Sequence, residues 1–291
     1  MFAPEHHPHH PLAMPAFIDH AHLVVRDVDA MRGWYESIMG LTTLEKSASG
    51  AVLGVDGQPL LSLTTDSQAA QAPRNAPGLF HTAFLVPDRL ELGRWLAHAA
   101  HNNVALDGAS DHLVSEAIYL SDPEGNGIEV YRDKPREDWN FQPGGMVAMA
   151  TLPLDLQALY DEAPKTDWHG MAARTALGHI HLQVSNIPEA EAFFRDVLGL
   201  GVMARYPGAT FFGSGQYHHH IGANIWNSRN APKRESAMTG LSDYTIRFND
   251  KAELDKAVAA AEALEMPTRR TANGVALTDP WGIGLTLGLK R

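Results

Sequence analysis

The sequence predicts an α+β protein built from four βαβββ modules, and three observations predict it. Residues 17–41 (FIDHAHLVVRDVDAMRGWYESIMGL) and 177–200 (LGHIHLQVSNIPEAEAFFRDVLGL) read as near-copies. Residues 121–131 (SDPEGNGIEVY) and 278–288 (TDPWGIGLTLG) form a second such pair. The offsets agree, with 159 residues from His20 to His179 and 157 from Glu129 to Thr286. Self-similarity at a fixed spacing marks a repeat architecture, and the chain is therefore a tandem duplication.

The elements follow in order. Residues 1–15, rich in Pro and His, are expected to be a disordered tail with His6, His7, His9 and His10 solvated. Each long repeat opens with the apolar alternation of a half-buried strand. A polar turn follows (Arg26-Asp27, Ser185-Asn186), then a helix stopped by Gly-Leu, with Gly at the C-cap. Residues 78–86 (GLFHTAFLV) read as a strand, and 88–100 as a helix with Leu90, Leu92, Trp95 and Leu96 on one stripe. Residues 242–248 and 252–264 repeat that strand and helix. The modules lie near 17–70, 78–135, 177–228 and 241–289. Taken in chain order they give a first domain over 17–135 and a second over 177–291, with 136–176 as the linker. Trp34-Tyr35 and Phe193-Phe194 fall at helical core positions, while His98 and His101 are expected at the surface near a helix C-terminus.

Composition removes several classes of function. The 291 residues suffice for one large domain or two of about 140, and 44% hydrophobic with 20% charged residues is ordinary for a globular chain. No apolar run reaches the roughly 18 residues that span a bilayer. Residues 1–15 lack the basic flank and apolar centre of a secretory signal, so the expected location is the cytoplasm. Zero cysteines exclude disulfides, thiolate metal sites and a cysteine nucleophile. A net charge of -11 without a Lys/Arg cluster argues against nucleic acid and anionic membranes as partners. The sixteen histidines point instead to chemistry at small molecules.

Three such residues coincide in the second module: His81 mid-strand, His112 in SDHLVSEA, and Glu129 in the apolar strand Gly-Ile-Glu-Val-Tyr. A carboxylate there is costly to bury unless it is paired or ligates a metal. Alternation places Glu129 and Tyr131 on the face opposite Ile128 and Val130. One buried His or Glu is more often a hydrogen-bonded core residue, but several in one module shift the balance. Two neutral imidazoles and one carboxylate make the facial set that suits Fe(II) and leaves positions open.

The four modules resemble the vicinal oxygen chelate superfamily, which includes glyoxalases, bleomycin resistance proteins and extradiol dioxygenases and curls module pairs into barrel-like mixed sheets. Residues 111–133 (DHLVSEAIYLSDPEGNGIEVYRD) are very similar to the extradiol signature: His112, then Ile118-Tyr119, the turn Asp122-Pro123-Glu124-Gly125, and Glu129 ten residues after the tyrosine. Ser110 departs from the usual Gly or aliphatic residue. The resemblance is closest to the tandem-domain catechol 2,3-dioxygenases and covers the chain from residue 17 onward.

That resemblance implies an Fe(II) enzyme, with Mn(II) also fitting, that opens catechol or a substituted catechol with O2 to a 2-hydroxymuconic semialdehyde-type product, in the catabolism of aromatic hydrocarbons. It implies His81 and Glu129 as two metal ligands, and His112 and Tyr119 as groups that hydrogen-bond the bound diol and oxygen. The third ligand is a first-strand histidine, either His179 or His20. A distal His should act as acid/base from a late strand of the module that gives this ligand. The first module has no histidine between His22 and His81, whereas the third contains His218-His219-His220. Pairing module two with three therefore yields one complete set with His179. Within the run, period two separates His219 from His218 and His220, and the family's His-x-x-Ala pattern selects His220. Tyr217, Trp226 and Phe80 are candidates for the pocket wall, and no Arg or Lys is recognisable as a selector for a carboxylated substrate. A homo-oligomer, dimer or larger, is expected on the same grounds. Two alternatives remain at this level: a glyoxalase-type metal-dependent isomerase or lyase, and a metal-free drug-sequestering protein.

Overall fold

The computed structural model describes residues 9–164, 166–235 and 238–290; the expectation for His6 and His7 falls outside them. The first module runs β1 (Ala16–Val25), α1 (Val28–Ser37), β2 (Thr42–Lys46), β3 (Gly50–Val55) and β4 (Gln58–Thr65). The second runs β5 (Gly78–Leu85), α2 (Arg89–His101), β6 (Gly108–Asp111), β7 (Ser115–Ser121) and β8 (Gly127–Asp133). Between the halves lie β9 (Leu152–Pro153) and α3 (Leu156–Glu162). The third module has β10 (Ala176–Gln183), α4 (Ile187–Glu191) continued by a π-helical turn Ala192–Val197, then β11 (Gly201–Tyr206), β12 (Ala209–Gly213) and β13 (Ile221–Asn224). The fourth has β14 (Gly240–Phe248), α5 (Lys251–Ala263), β15 (Arg269–Thr271), β16 (Gly274–Thr278) and β17 (Gly284–Leu289). Each module helix starts on an Asx cap, as the polar turns predict: Asp27, Asp88, Asn186 and Asp250 each accept a backbone N–H of the first turn, satisfying a donor that the helix itself leaves open.

Sheet pairing crosses the two halves of the sequence. An eight-stranded sheet has the order β15-β16-β17-β14-β1-β4-β3-β2, and a nine-stranded sheet the order β11-β12-β13-β10-β5-β8-β7-β6-β9. Modules one and four thus join through the antiparallel pair β1–β14, and modules two and three through β10–β5. One apolar core runs behind both sheets and collects the helices; Tyr35, Trp95, Phe194 and Trp281 are all buried in it. Tyr35 ties the halves of this core to the second module's turn, because its hydroxyl donates to Asp122 Oδ2 over 3.0 Å.

One local expectation needs revision, and two segments gain detail. Residues 11–14 are not a free tail: Pro11–Ala13 form a 3-10 turn capped by His10, and Pro11 and Met14 are buried. The linker is structured, with β9 extending the nine-stranded sheet beside β6. Its Trp168 stacks on the ring of the part-exposed His98 at 3.7 Å, and His98 Nε2 lies 2.9 Å from the Ser37 carbonyl.

Candidate metal centre

The trough of the nine-stranded sheet gathers the chemistry. β5 and β10 pair so that His181 lies opposite His81 and His179 opposite Ala83, while β8 runs parallel to β5 with Glu129 beside Ala83. Side chains two apart share a face of a strand, and the three strands therefore aim His81, His179 and Glu129 at one point. Glu129 Oε2 lies 3.0 Å from His81 Nε2 and 3.3 Å from His179 Nε2, and the two imidazole nitrogens are 3.3 Å apart. All three residues are buried. The glycine before His179 is required by packing, since a Cβ at Gly178 would overlap the Tyr131 hydroxyl.

This donor set fits a divalent cation. Metal–ligand bonds of about 2.0–2.2 Å at octahedral or tetrahedral angles separate ligand atoms by roughly 3.0–3.4 Å, the spacing found here. Two neutral imidazoles and one carboxylate leave a net charge to be balanced by the ion. Burial pushes His179 down to about 4 despite the neighbouring Glu129 charge, so its imidazole is neutral and able to ligate at neutral pH. Burial alone would raise Glu129, yet His179 and His81 hold its carboxyl well below the usual range.

A cavity of about 690 Å³ opens over this cluster, and His112, Tyr119, His219, His181, Phe80 and Trp226 are among its walls. His112 Nδ1 donates to the Ala150 carbonyl over 2.6 Å, and its Nε2 meets the Tyr119 hydroxyl at 2.7 Å. Burial and the nearby Glu129 charge raise the Tyr119 phenol well above its ordinary value, which keeps its proton in place.

The structure separates the residues named from sequence into two groups. His81, Glu129, His179, His112, Tyr119, Phe80 and Trp226 share the cavity. His220, Tyr217 and His20 do not. Residues 214–220 lie between β12 and β13 and are not a strand, so the period-two argument did not apply there. His220 turns away: its Nδ1 accepts from the Ser214 amide at 3.2 Å and its Nε2 faces the Pro11 carbonyl at 3.4 Å. Burial pushes it down to about 3. Tyr217 is buried behind the wall, with its hydroxyl donating to Asp133 Oδ2 at 2.8 Å. The residue that faces the cluster is His219, whose ring lies 4.1 Å from that of His179. Its neighbour His218 connects it to Asp133, through contacts of 2.8 Å (Nδ1 to Nδ1) and 2.7 Å (Nε2 to Oδ1).

Residues 17–130 and 176–287 both match the family described as Glyoxalase/Bleomycin resistance protein/Dioxygenase superfamily. The chain belongs to this superfamily. It is 39% identical over 267 residues, 90% of this chain and 93% of the other, to a protein of Bacillus subtilis (strain 168) named Catechol-2,3-dioxygenase. Among solved structures, a candidate dioxygenase from Bacillus subtilis subsp. subtilis str. 168 superposes with a TM-score of 0.64 at 12% identity, covering 94% of this chain and 84% of that one. Glyoxalase I from Zea mays superposes with a TM-score of 0.57 at 14% identity, covering 94% and 92%. At such identities the likeness is one of fold.

Within this superfamily fold the second trough shows what degeneration looks like. The β1–β14 register places Asp243 opposite His22 as β5–β10 places His81 opposite His181. Asp243 therefore stands at the position of His81, while Tyr244 is buried in the apolar core. Thr286, beside Thr245, replaces the carboxylate. His20 Nε2 is satisfied by Ser62 Oγ at 2.8 Å, and His22 by Asp243 and Thr64 at 2.8 and 2.7 Å. Among the described residues, the only cluster of metal-ligating groups is His81, Glu129 and His179.

Proposed function

We propose that the chain is an extradiol ring-cleaving dioxygenase, acting on catechol or a substituted catechol with O2 at an Fe(II) or Mn(II) site held by His81, His179 and Glu129. The observation that carries this reading is the convergence of these three donors under a cavity also lined by His112, Tyr119 and His219. The likeness to the Bacillus subtilis Catechol-2,3-dioxygenase supports the same reaction. A glyoxalase-type isomerase would call for a second carboxylate in the cluster, and among the described residues one carboxylate enters it.

Bound there, the ion would supply a positive charge that acidifies the diol and an open coordination sphere for both substrates. The rest falls to this chain's side chains. The Ala150 carbonyl fixes the proton of His112 on Nδ1, so His112 Nε2 accepts the Tyr119 proton. The Tyr119 oxygen is thus free to accept from a substrate hydroxyl, and a proton taken there passes on to His112 Nε2. His219 takes the role that the sequence pattern had given to His220. The Asp133 carboxylate can only accept, which sets the proton of His218 on Nε2 and leaves its Nδ1 as an acceptor. His219 then donates through Nδ1, and its bare Nε2 is the base on the cavity side. Phe80 and Trp226, with rings 5.4 Å apart, give an aromatic ring an apolar wall.

The test is oxygen uptake by protein loaded anaerobically with Fe(II), on adding catechol or alkyl-catechols, with absorbance followed for a yellow ring-opened product. Stoichiometric uptake with the yellow product is the expected result. Iron shown to be bound, with no uptake across the series, would overturn the reading.

A further inference from the structure

The cavity extends well beyond the space a single ring needs, and its far end is built differently from the metal end. β5 leads away from His81 toward its first residue, Gly78, which pairs with Gln183 on β10. Three residues of strand cover about 10 Å. At that end stands Arg234, which comes from the segment between β13 and β14 and lines the same cavity. Its Nη2 donates to the carbonyls of Met238 and Thr239 at 3.0 and 2.5 Å. Its Nη1 has no hydrogen bond among the described residues, and no carboxylate pairs with it there. The wall facing Nη1 is kept open by two glycines: a Cβ on Gly78 would approach Nη1 to 3.0 Å, and one on Gly240 to 3.6 Å. Gln183 and Asn227, joined by a 2.9 Å hydrogen bond, also line this end, and exposed Arg74 stands at its edge. Apart from Glu129, two carboxylates line the cavity: Asp107 accepts from the Ser121 hydroxyl, and Glu124 accepts the Arg26 amide through Oε1 while its Oε2 has no hydrogen-bond partner among the described residues.

An arginine keeps its charge when part-buried, and one held in place by two carbonyls with a donor to spare is preorganised for a planar anion. We infer that Arg234 forms an anion subsite, and that the substrate is a catechol carrying a flexible side chain that ends in a carboxylate. The inference rests on the dioxygenase reading for the diol; the anion subsite stands on its own geometry. Arg234 lies about a hundred residues beyond the signature, in the segment between the third and fourth modules, so it does not stand beside the motif in sequence.

The test compares kcat/KM for 3-(2,3-dihydroxyphenyl)propionate and for 3-propylcatechol, a neutral molecule of similar size. The native enzyme should prefer the carboxylate by about tenfold or more, the discrimination expected when an analogue leaves a part-buried, preorganised charged donor unpaired. Arg234→Gln should bring that ratio close to one, and Arg234→Lys, which keeps the charge but not the fork, should fall between. Calorimetry with 3-phenylpropionate, which lacks the diol, reads the subsite without turnover; its affinity should drop about tenfold or more in Arg234→Gln. Equal kcat/KM for the two catechols in the native enzyme, or phenylpropionate binding indifferent to Arg234, overturns the subsite. Arg234-dependent binding of phenylpropionate without cleavage of any catechol would keep the subsite and reject the dioxygenase reading.

Discussion

His218 Nε2 lies 2.7 Å from Asp133 Oδ1, and this contact orders the protons of two consecutive histidines. Asp133 is part-exposed, whereas His218 is fully buried, so a surface-connected carboxylate is linked through one imidazole to the histidine over the metal cluster. Asp133→Asn can present an N–H to His218 and reverse both tautomers, leaving His219 Nε2 protonated. We expect kcat to fall about 10–100-fold, the usual cost of losing an orienting partner, with bound metal and KM near native values. Steady-state kinetics with metal analysis on the same samples checks this; lost metal would instead make Asp133 a structural support of the cluster.

His219 and His220 should separate cleanly by substitution. His219→Gln removes the base and should cost about 10²–10⁴-fold in kcat. His220 already spends both ring nitrogens on the Ser214 amide and the Pro11 carbonyl. His220→Gln should therefore act on stability, by about 1–3 kcal/mol, read as a lowered melting temperature. If His220→Gln stopped turnover in a folded protein while His219→Gln did not, the assignment would be reversed.

The choice of first-strand ligand is testable by metal content alone. His179→Ala removes one of three donors and should reduce retained iron after gel filtration by at least about tenfold. His20 sits in the other sheet with Ser62 as its partner, and His20→Ala should retain the native amount. Iron lost from the His20 variant and kept by the His179 variant would refute the trough described above.

Asp279 provides a pH signature. It occupies in module four the turn position of Asp122, and its Oδ1 accepts from the amides of Trp281 and Ile283. Its Oδ2 is buried without a partner, whereas Asp122 Oδ2 receives Tyr35 and Asn126. Burial accordingly pushes Asp279 up to about 7. With the folded value above the unfolded one near 3.9, the native state binds more protons across this interval. Stability from this group is full below pH 4 and is lost as pH rises through 7, a difference on the order of 4 kcal/mol. Asp279→Asn, which cannot ionise, should be far less stabilising at pH 4 than at pH 8 in urea titrations. A variant whose effect is the same at both values would show that Asp279 stays ionised.

The sequence by itself determined whatever depends on local periodicity and on repetition. Strand alternation put Glu129 and Tyr131 on the trough face, Asx residues marked the helix starts, and the duplication located four modules of the right type. The ten-residue step from Tyr119 to Glu129 across a tight turn was equally legible, because the hairpin of β7 and β8 places the two directly opposite. The preference for His179 over His20 came from the family resemblance, which calls for a distal His in the same module, together with the count of histidines per module. Tertiary structure alone decided the rest. Which of three adjacent histidines faces the cluster depends on an irregular segment with no period to read. Pro11 returns from 209 residues away to meet His220. Arg234, from the segment between the third and fourth modules, reaches a cavity walled mainly by modules two and three. A strand's geometry constrains its own side chains, but a loop takes its conformation from what it packs against, and those partners lie far along the chain.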